Sequence, residues 1–418
     1  MNDYLCLEEN CTGCAACFNI CKSNAIHMTR NKEGFLYPVI DEKACISCHQ
    51  CTRVCPEFNI IEKAPKSPTV YAAYSKDFEN IKRSSSGGIV FEIFKSVIQN
   101  GGVVFSAYMT SCFTVEFKKA KTLDDILAFQ GSKYVESNPG NIYQEIQETL
   151  KVGSVVAFCG LPCQVAGLLS YLKRDYENLY TIDLVCHGVP SGKLFQDYVH
   201  SMEQGHPVNE LVFRYKEKDW SPLLRINCRI RFSNDETEIR DYKVDPYLTG
   251  FNSNIMFRPS CYHCSYASIP RISDLTVGDY MGLGVVFPYK GDSKDGISQV
   301  LVNSKKGEIL FSKLSAQTFY EKRDLKECLY FNHNLWKATT KPVQRNNLYL
   351  DYEKKGYSYI EAKYLSNSLK KKIINMIKEF MRAFLGDRFV TKLIYLSYQK
   401  KGIIQKANDV YDEIKRKN

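Results

Sequence analysis

Cys11-Thr12-Gly13-Cys14-Ala15-Ala16-Cys17-Phe18-Asn19-Ile20-Cys21, echoed by Cys45-Ile46-Ser47-Cys48-His49-Gln50-Cys51-Thr52-Arg53-Val54-Cys55-Pro56, decides how this chain begins to fold. Each run separates its cysteines by two, two and three residues. Thiolate sulfur is the ligand that iron–sulfur clusters require, and this spacing wraps three sulfurs around one face of a [4Fe–4S] cubane. The fourth cysteine of each run is expected to cross over. One cluster then takes Cys11, Cys14, Cys17 and Cys55, and the other takes Cys45, Cys48, Cys51 and Cys21. Zinc sites use paired CxxC units rather than two runs of four cysteines. Lys22 follows Cys21 where Pro56 closes the second run, a departure that removes no ligand.

Around this opening the chain is long and ordinary. Its 418 residues leave room for two or three domains, and 44% hydrophobic content is enough to bury a core. Seventeen cysteines in a chain that opens with polar Met1-Asn2-Asp3-Tyr4, without a charged-then-apolar signal segment, imply reduced thiols in the cytoplasm. No apolar run reaches the ~18 residues that would span a bilayer. About +8 of the net +10 charge falls in residues 361–418, so the body is nearly neutral.

The expected organisation is α+β and α/β: a bacterial-type ferredoxin module, an α/β catalytic domain with a mixed sheet, and a C-terminal helical tail. The boundaries are 1–60 for the two-cluster module, 61–69 for a linker with Pro65 and Pro68, 70–150 and 151–330 for the two parts of the domain, and 331–418 for the basic tail. Within the domain, Val70–Tyr74, Val103–Met109, Ser154–Phe158 and Leu179–Val185 read as strands. Gly88–Gln99, Gln164–Leu172 and Leu194–Met202 read as helices. That alternation predicts parallel strands with helices packed on them. From Leu211 to Phe232 the pattern is strand-like without helices and predicts an antiparallel extension. In the tail, Leu365, Leu369, Ile373, Ile377, Phe380 and Phe384 recur at helical spacing among Lys370, Lys371, Lys372, Lys378 and Arg382. The stripe suits a helix docked on the body or a basic amphipathic helix on an anionic membrane surface.

Nine cysteines stand outside the runs. Cys163 follows one strand and Cys186 follows the next; ligands of open α/β sheets collect at such carboxyl ends. With Cys261 and Cys264, these sulfurs form a candidate third cubane site, for which zinc with the same ligands is the rival. Cys159 competes with Cys163 for the ligand role. Cys112, Cys228 and Cys328 read as small apolar fillers.

These motifs together resemble the coenzyme F420 hydrogenase/dehydrogenase β-subunit family. The resemblance rests on the paired cysteine runs, Ser84-Ser85-Ser86-Gly87-Gly88, Gly160-Leu161-Pro162-Cys163-Gln164, Cys186-His187-Gly188-Val189-Pro190-Ser191, Arg258-Pro259-Ser260-Cys261-x2-Cys264 and Asp274-Leu275-Thr276-Val277-Gly278-Asp279. It covers roughly residues 1–310 and not the tail. It implies flavin beside [4Fe–4S] clusters and electron exchange with a redox protein partner. The family includes bacterial members without a deazaflavin partner, some at polysaccharide loci, so F420 itself does not follow as the substrate.

Clusters carry single electrons whereas hydride chemistry moves two, and flavin joins the two. No GxGxxG follows a strand, so a dinucleotide fold is not indicated. The candidate FAD contacts are Ser85, Ser86, Gly87 and Gly88 at a helix start, with Gly131, Ser132 and Lys133 in a second turn. His187 and Asp279 are candidate acid–base groups. The expected protein is an iron–sulfur flavoprotein oxidoreductase; the alternative is a non-catalytic electron-transfer subunit of a larger complex. Without interleaved base-stacking aromatics, the basic residues do not suggest nucleic acid.

Overall fold

The computed structural model describes residues 5–59, 61, 67–203, 205–216, 227–291, 295–314, 316–366, 377, 380–381 and 384–416. Among the described residues the strands are β1 (Ile26–Arg30), β2 (Leu36–Ile40), β3 (Thr69–Ser75), β4 (Val103–Met109), β5 (Val115–Ala120), β6 (Ser137–Asn138), β7 (Val156–Gly160), β8 (Leu179–Leu184), β9 (Val208–Tyr215), β10 (Asn227–Phe232), β11 (Thr237–Asp241), β12 (Leu275–Asp279), β13 (Ser298–Val302) and β14 (Thr318–Arg323).

Among the described residues, nine strands form one mixed sheet in the order β14-β3-β13-β12-β8-β7-β4-β5-β6. Its centre, β12-β8-β7-β4, is parallel; β13, β3 and β14 on one side and β5 on the other pair antiparallel, and β6 at the far edge pairs parallel with β5. Successive side chains in a strand point to opposite faces. Val104, Ala157, Cys159 and Ile182 accordingly pack under helix Ile89–Gln99 through Ile93, Phe94 and Val97. Val103, Phe105, Val156 and Phe158 face the other way, against Tyr143, Ile146, Val165 and Leu168 of helices Ile142–Lys151 and Pro162–Leu172.

Several expectations shift. The strand expected at Ser154–Phe158 runs from Val156 to Gly160, which places Cys159 inside it. The strand-like stretch from Leu211 does not extend the large sheet: β9, β10 and β11 form an antiparallel sheet of their own, and residues 217–226 lie outside the described residues. That sheet shares a core with helices Gly192–Ser201 and Pro246–Asn252, and with Leu348, Tyr349, Tyr352, Tyr357, Ile360 and Leu365. The region expected as a tail from residue 331 is therefore partly core. Helix Ile403–Arg416 likewise buries Ile404, Ala407 and Ile414 beside Leu325, Leu329 and Phe331. Of the apolar stripe, Leu365 is buried while Ile377, Phe380 and Phe384 are exposed; Leu369, Ile373, Lys370, Lys371, Lys372, Lys378 and Arg382 lie outside the described residues. No helix among the described residues is long and apolar enough to cross a membrane.

The cysteine module is a β1–β2 hairpin, paired from Ile26↔Ile40 to Arg30↔Leu36, with two short helices, Ala16–Ile20 and Gln50–Arg53. It seats its first helix on helix Pro162–Leu172 of the large domain.

Candidate cluster sites and the serine turn

The two cysteine runs repeat in backbone as well as spacing. Gly13 and Ser47, each two residues after the first cysteine of its run, have φ of 70° and 52°; Ala15 and His49 follow at 60° and 57°. Left-handed backbone costs a non-glycine residue about 1–3 kcal/mol, yet three of these four positions carry a side chain. Alternation of this kind turns successive N–H groups inward as an anion-binding nest, a feature of iron–sulfur sites. An anionic thiolate-ligated cubane fits this backbone in both runs.

Cys11, Cys14, Cys17 and Cys55 line a single cavity of about 520 Å³, including its open space. The crossing ligand therefore stands beside the three cysteines of the other run. Cys6 lines the same cavity, which the motif did not signal. Hydrogen bonds to Cys11 and Cys55 hold the Cys6 thiol well above its ordinary range. The same hydrogen bond pulls Cys11 down to about 6, with help from the charge of Arg258. Burial pushes Cys14 up to about 12. In the second run Cys48 is exposed and lies near enough to Cys51 to raise it, though burial is the larger cause. Cys21 meets the Ser23 hydroxyl at 3.6 Å.

Cys163, Cys186, Cys261 and Cys264 line a larger cavity of about 860 Å³, including its open mouth. Cys163 opens helix Pro162–Leu172 just after β7, and Cys186 follows β8. Cys261 lies in the 3₁₀ turn Pro259–His263, and Cys264 ends it. Burial and the neighbouring thiols raise Cys163 and Cys186, and Cys261 is pushed up to about 11, chiefly by burial. Four crowded, desolvated sulfurs are stabilised by a multivalent cationic core, so the donor set fits a cluster. Cys159 does not reach this cavity; its strand position turns it to the opposite face of the sheet, into the core. Cys228 and Cys328 are buried as fillers, whereas Cys112 is exposed.

The two cavities share a wall of Thr12, Gly13, Met28 and Tyr266. A Cβ on Gly167 would lie 3.1 Å from Cys14 Sγ, so the helix that begins at the Cys163 turn touches a cysteine of the module. Tyr266 and Tyr143 both sense Cys163 and Cys14, and burial raises both phenols. Docking is fixed by Arg258, which is 2% exposed. Its guanidinium donates to the Cys11 carbonyl at 3.0 Å, the Leu36 carbonyl at 2.5 Å and Glu136 at 3.3 Å. Its role could not be read from its place in the Arg258-Pro259-Ser260-Cys261 motif, because the partners are distant in sequence.

The two turns proposed for flavin meet: Ser132 Oγ donates to Ser85 Oγ at 2.8 Å. Beneath them, Arg214 donates to the Ser85 carbonyl and to Asp279, and Lys216 donates to the Ser86 carbonyl at 2.8 Å. A Cβ on Gly131 would meet nothing nearer than Arg83 O at 4.0 Å, so this face is open. Ser85, Gly131 and Ser132, backed by the Arg214 guanidinium, fit a phosphate-bearing group; Lys216, which burial pushes down to about 7, gives its protons to the carbonyls of Ile81, Ser86 and Asp295 and belongs to the fold. The other residues of the set are engaged within the fold. Ser86 Oγ donates to Ile297 O at 2.6 Å, and Gly87 N donates to Ser298 Oγ at 3.1 Å. Gly87 is small because a Cβ would lie 2.5 Å from Ala73 O, and a Cβ on Gly88 would strike Asn80. Lys133 gives its ammonium protons to the carbonyls of Phe129, Gln130 and Gly131, at 2.9, 3.1 and 3.2 Å.

His187 lines the larger cavity, edge-on to Phe251 and Phe257. Burial lowers its pKa, favouring the neutral ring. Asp279 is held by Arg214 at 2.6 and 3.2 Å. No contact among the described residues brings His187 and Asp279 together.

The 4Fe-4S dicluster domain profile matches residues 10–59. Two profiles of the coenzyme F420 hydrogenase/dehydrogenase beta subunit match as well: its N-terminal part over residues 70–141 and its C-terminal part over residues 153–327. No curated protein matches the chain. Among solved structures, a chain of the F420-reducing [NiFe] hydrogenase complex from Methanosarcina barkeri, studied by xenon derivatization, aligns at 19% identity. The alignment has a TM-score of 0.42 and spans 73% of this chain and 94% of that one. The chain belongs to the coenzyme F420 hydrogenase/dehydrogenase beta-subunit family, with a 4Fe-4S dicluster domain at its N-terminal end.

Proposed function

We propose that this protein is a cytosolic iron–sulfur flavoprotein oxidoreductase whose clusters form a line. The outer cluster is held by Cys45, Cys48, Cys51 and Cys21, and the inner one by Cys11, Cys14, Cys17 and Cys55. The third, a [4Fe–4S] cluster of the domain, is held by Cys163, Cys186, Cys261 and Cys264. The observation that carries the reading is the shared wall of the two cysteine cavities, together with the approach of Cys14 to Gly167. That contact leaves little protein between the inner and third clusters. Exposed Cys48 puts the outer cluster where a redox protein partner can reach it. Seventeen cysteines, twelve of them in candidate cluster-ligand positions, support a reducing compartment.

FAD would be held by Ser85, Gly131 and Ser132, with Arg214 supplying positive charge beneath Ser85. When bound, it converts between single electrons and the hydride of a small substrate or of a deazaflavin such as F420. His187, kept neutral by burial, would be the acid–base group at the cavity of Cys163, Cys186, Cys261 and Cys264. Asp279 orients Arg214 beneath Ser85. The exposed Ile377, Phe380 and Phe384, in a stretch rich in lysine, support peripheral contact with an anionic membrane surface.

Iron, acid-labile sulfide and flavin content of the anaerobically purified chain test this reading. Twelve irons and one FAD are expected. Cys163→Ala should lose the third cluster, whereas Cys159→Ala should keep it. One zinc in place of that cluster would refute the electron line. Flavin without turnover of a reduced dye would leave the protein an electron-transfer subunit of a larger enzyme.

A further inference from the structure

Asp183, in β8, stands three residues before Cys186 and lies in register with Gly160, the last residue of β7 and itself three residues before Cys163. It is fully buried. Its partner is Arg271, 3% exposed, whose guanidinium donates to Asp183 Oδ1 at 2.9 Å and to the Tyr266 carbonyl at 2.7 Å. Tyr266 comes two residues after Cys264. One side chain therefore joins the strand that leads to Cys186 to the loop that leaves Cys264. Arg271 also stands in the wall of the cavity of Cys163, Cys186, Cys261 and Cys264, and among the described residues Asp183 does not. Stability does not account for the pair. A buried ion pair gains little over apolar packing. Here Arg271 Nε and Asp183 Oδ2 each lack a hydrogen-bond partner among the described residues, which adds to the cost. Arg258 lines the same cavity, but its partners are the module carbonyls and Glu136, so it ties two domains together rather than the cysteines of one site.

We propose that Arg271 is a positioning residue of the third cluster: it clasps the Cys264 loop to the Cys186 strand, and its guanidinium holds that cluster's reduction potential above the value it would otherwise have. A cubane on four thiolates is anionic and gains further negative charge on reduction, so a fixed cation in the wall favours the reduced form. A guanidinium keeps its charge at every working pH, and a buried charge is screened far less by salt than an exposed one. Asp183 opposes that effect from outside the wall. The inference rests on the reading of Cys163, Cys186, Cys261 and Cys264 as ligands of that cluster.

The test uses the full chain, isolated anaerobically, as native protein, Arg271→Met, Arg271→Lys and Asp183→Asn. Iron and sulfide are measured, and each cluster is titrated by electron paramagnetic resonance. The third cluster's signal is the one abolished by Cys163→Ala. Equal iron is expected in all four proteins. In Arg271→Met the third midpoint falls while the others stay, and in Arg271→Lys, which keeps the charge, it returns toward the native value. In Asp183→Asn, whose amide oxygen still accepts from Arg271, it rises. Opposite shifts from the two members of one pair are what a charge effect gives and a mere loosening does not. Midpoints unmoved in Arg271→Met and Asp183→Asn, or moved the same way in both, overturn the proposal. If Arg271→Met loses the third cluster's iron, the clasp stands and Asp183→Asn decides the charge: a raised midpoint upholds it and an unmoved one overturns it. A native protein with zinc, or no metal, at these four cysteines fails at the ligand assignment itself and takes this inference with it.

Discussion

Replacing Arg258 by methionine should loosen the cysteine module from the domain. The side chain is 2% exposed, and its guanidinium reaches the carbonyls of Cys11 and Leu36 and the carboxylate of Glu136. Removing one member of a buried ion pair costs about 3–5 kcal/mol. The remaining contacts put this site at the low end. Glu136 keeps Arg30 at 3.1 Å and the N–H groups of Leu36 and Gly192 at 3.1 and 3.0 Å. The Cys11 carbonyl keeps Ser260 Oγ at 3.1 Å. About 3 kcal/mol corresponds to roughly a 150-fold change in the docking equilibrium, since 1.4 kcal/mol is tenfold. Hydrogen exchange reads such local opening directly. In the loaded chain, hairpin amides of β1 and β2 should exchange about 150-fold faster, while amides of β7 and β8 keep their protection. Arg258→Lys should fall between, because an ammonium cannot reproduce the planar fork of donors. Unchanged hairpin protection, or an equal loss across the large sheet, would refute the argument that Arg258 is the docking bolt.

Three other outcomes follow from packing and exposure. Gly167→Ala gains about 1 kcal/mol of helix propensity but puts a Cβ 2.9 Å from Cys14 Cβ and 3.0 Å from Tyr143 Oη. Overpacking costs about 1–3 kcal/mol, so global stability should change little while the inner cluster's resonance shifts and its electron exchange with the third cluster slows; an unaltered resonance counts against contact. At the other end of the chain, deleting residues 403–416 should destabilise the protein, because Ile404 and Ile414 are each worth about 1.5–3 kcal/mol when buried. Phe380→Glu with Phe384→Glu should instead leave stability alone and reduce sedimentation with anionic vesicles; equal binding would remove the tail from membrane contact.

Local chemistry was legible in the sequence, and long-range contact was not. The two cysteine runs announce themselves because three of the four sulfurs that a cubane takes from such a run are close in sequence. Cys163 and Cys186 could be paired because consecutive parallel strands end side by side. Choosing between Cys159 and Cys163 needed the strand boundary: a two-residue shift puts Cys159 in β7, facing the far layer. Gly87 and Gly88 look the same in sequence whether a ligand or Ala73 O and Asn80 crowd them. Alternation marked β9 and β10 as strands but could not name their partners. Arg258 meets Cys11 across 247 positions, beyond the reach of any local pattern.

The module's duplication is undone by where it sits. Its two halves match in cysteine spacing and in their left-handed residues, but they meet the domain differently: the inner half takes Arg258 on the Cys11 carbonyl and Tyr266 in its cavity wall, while the outer half takes Lys173 on Gln50 and packs Val54 into the domain's apolar layer. Cut free at residue 59, the fragment would lose a buried cation and part of a cavity wall on one side, and on the other a surface hydrogen bond and packing. A change at the inner half must therefore be accepted by two domains at once.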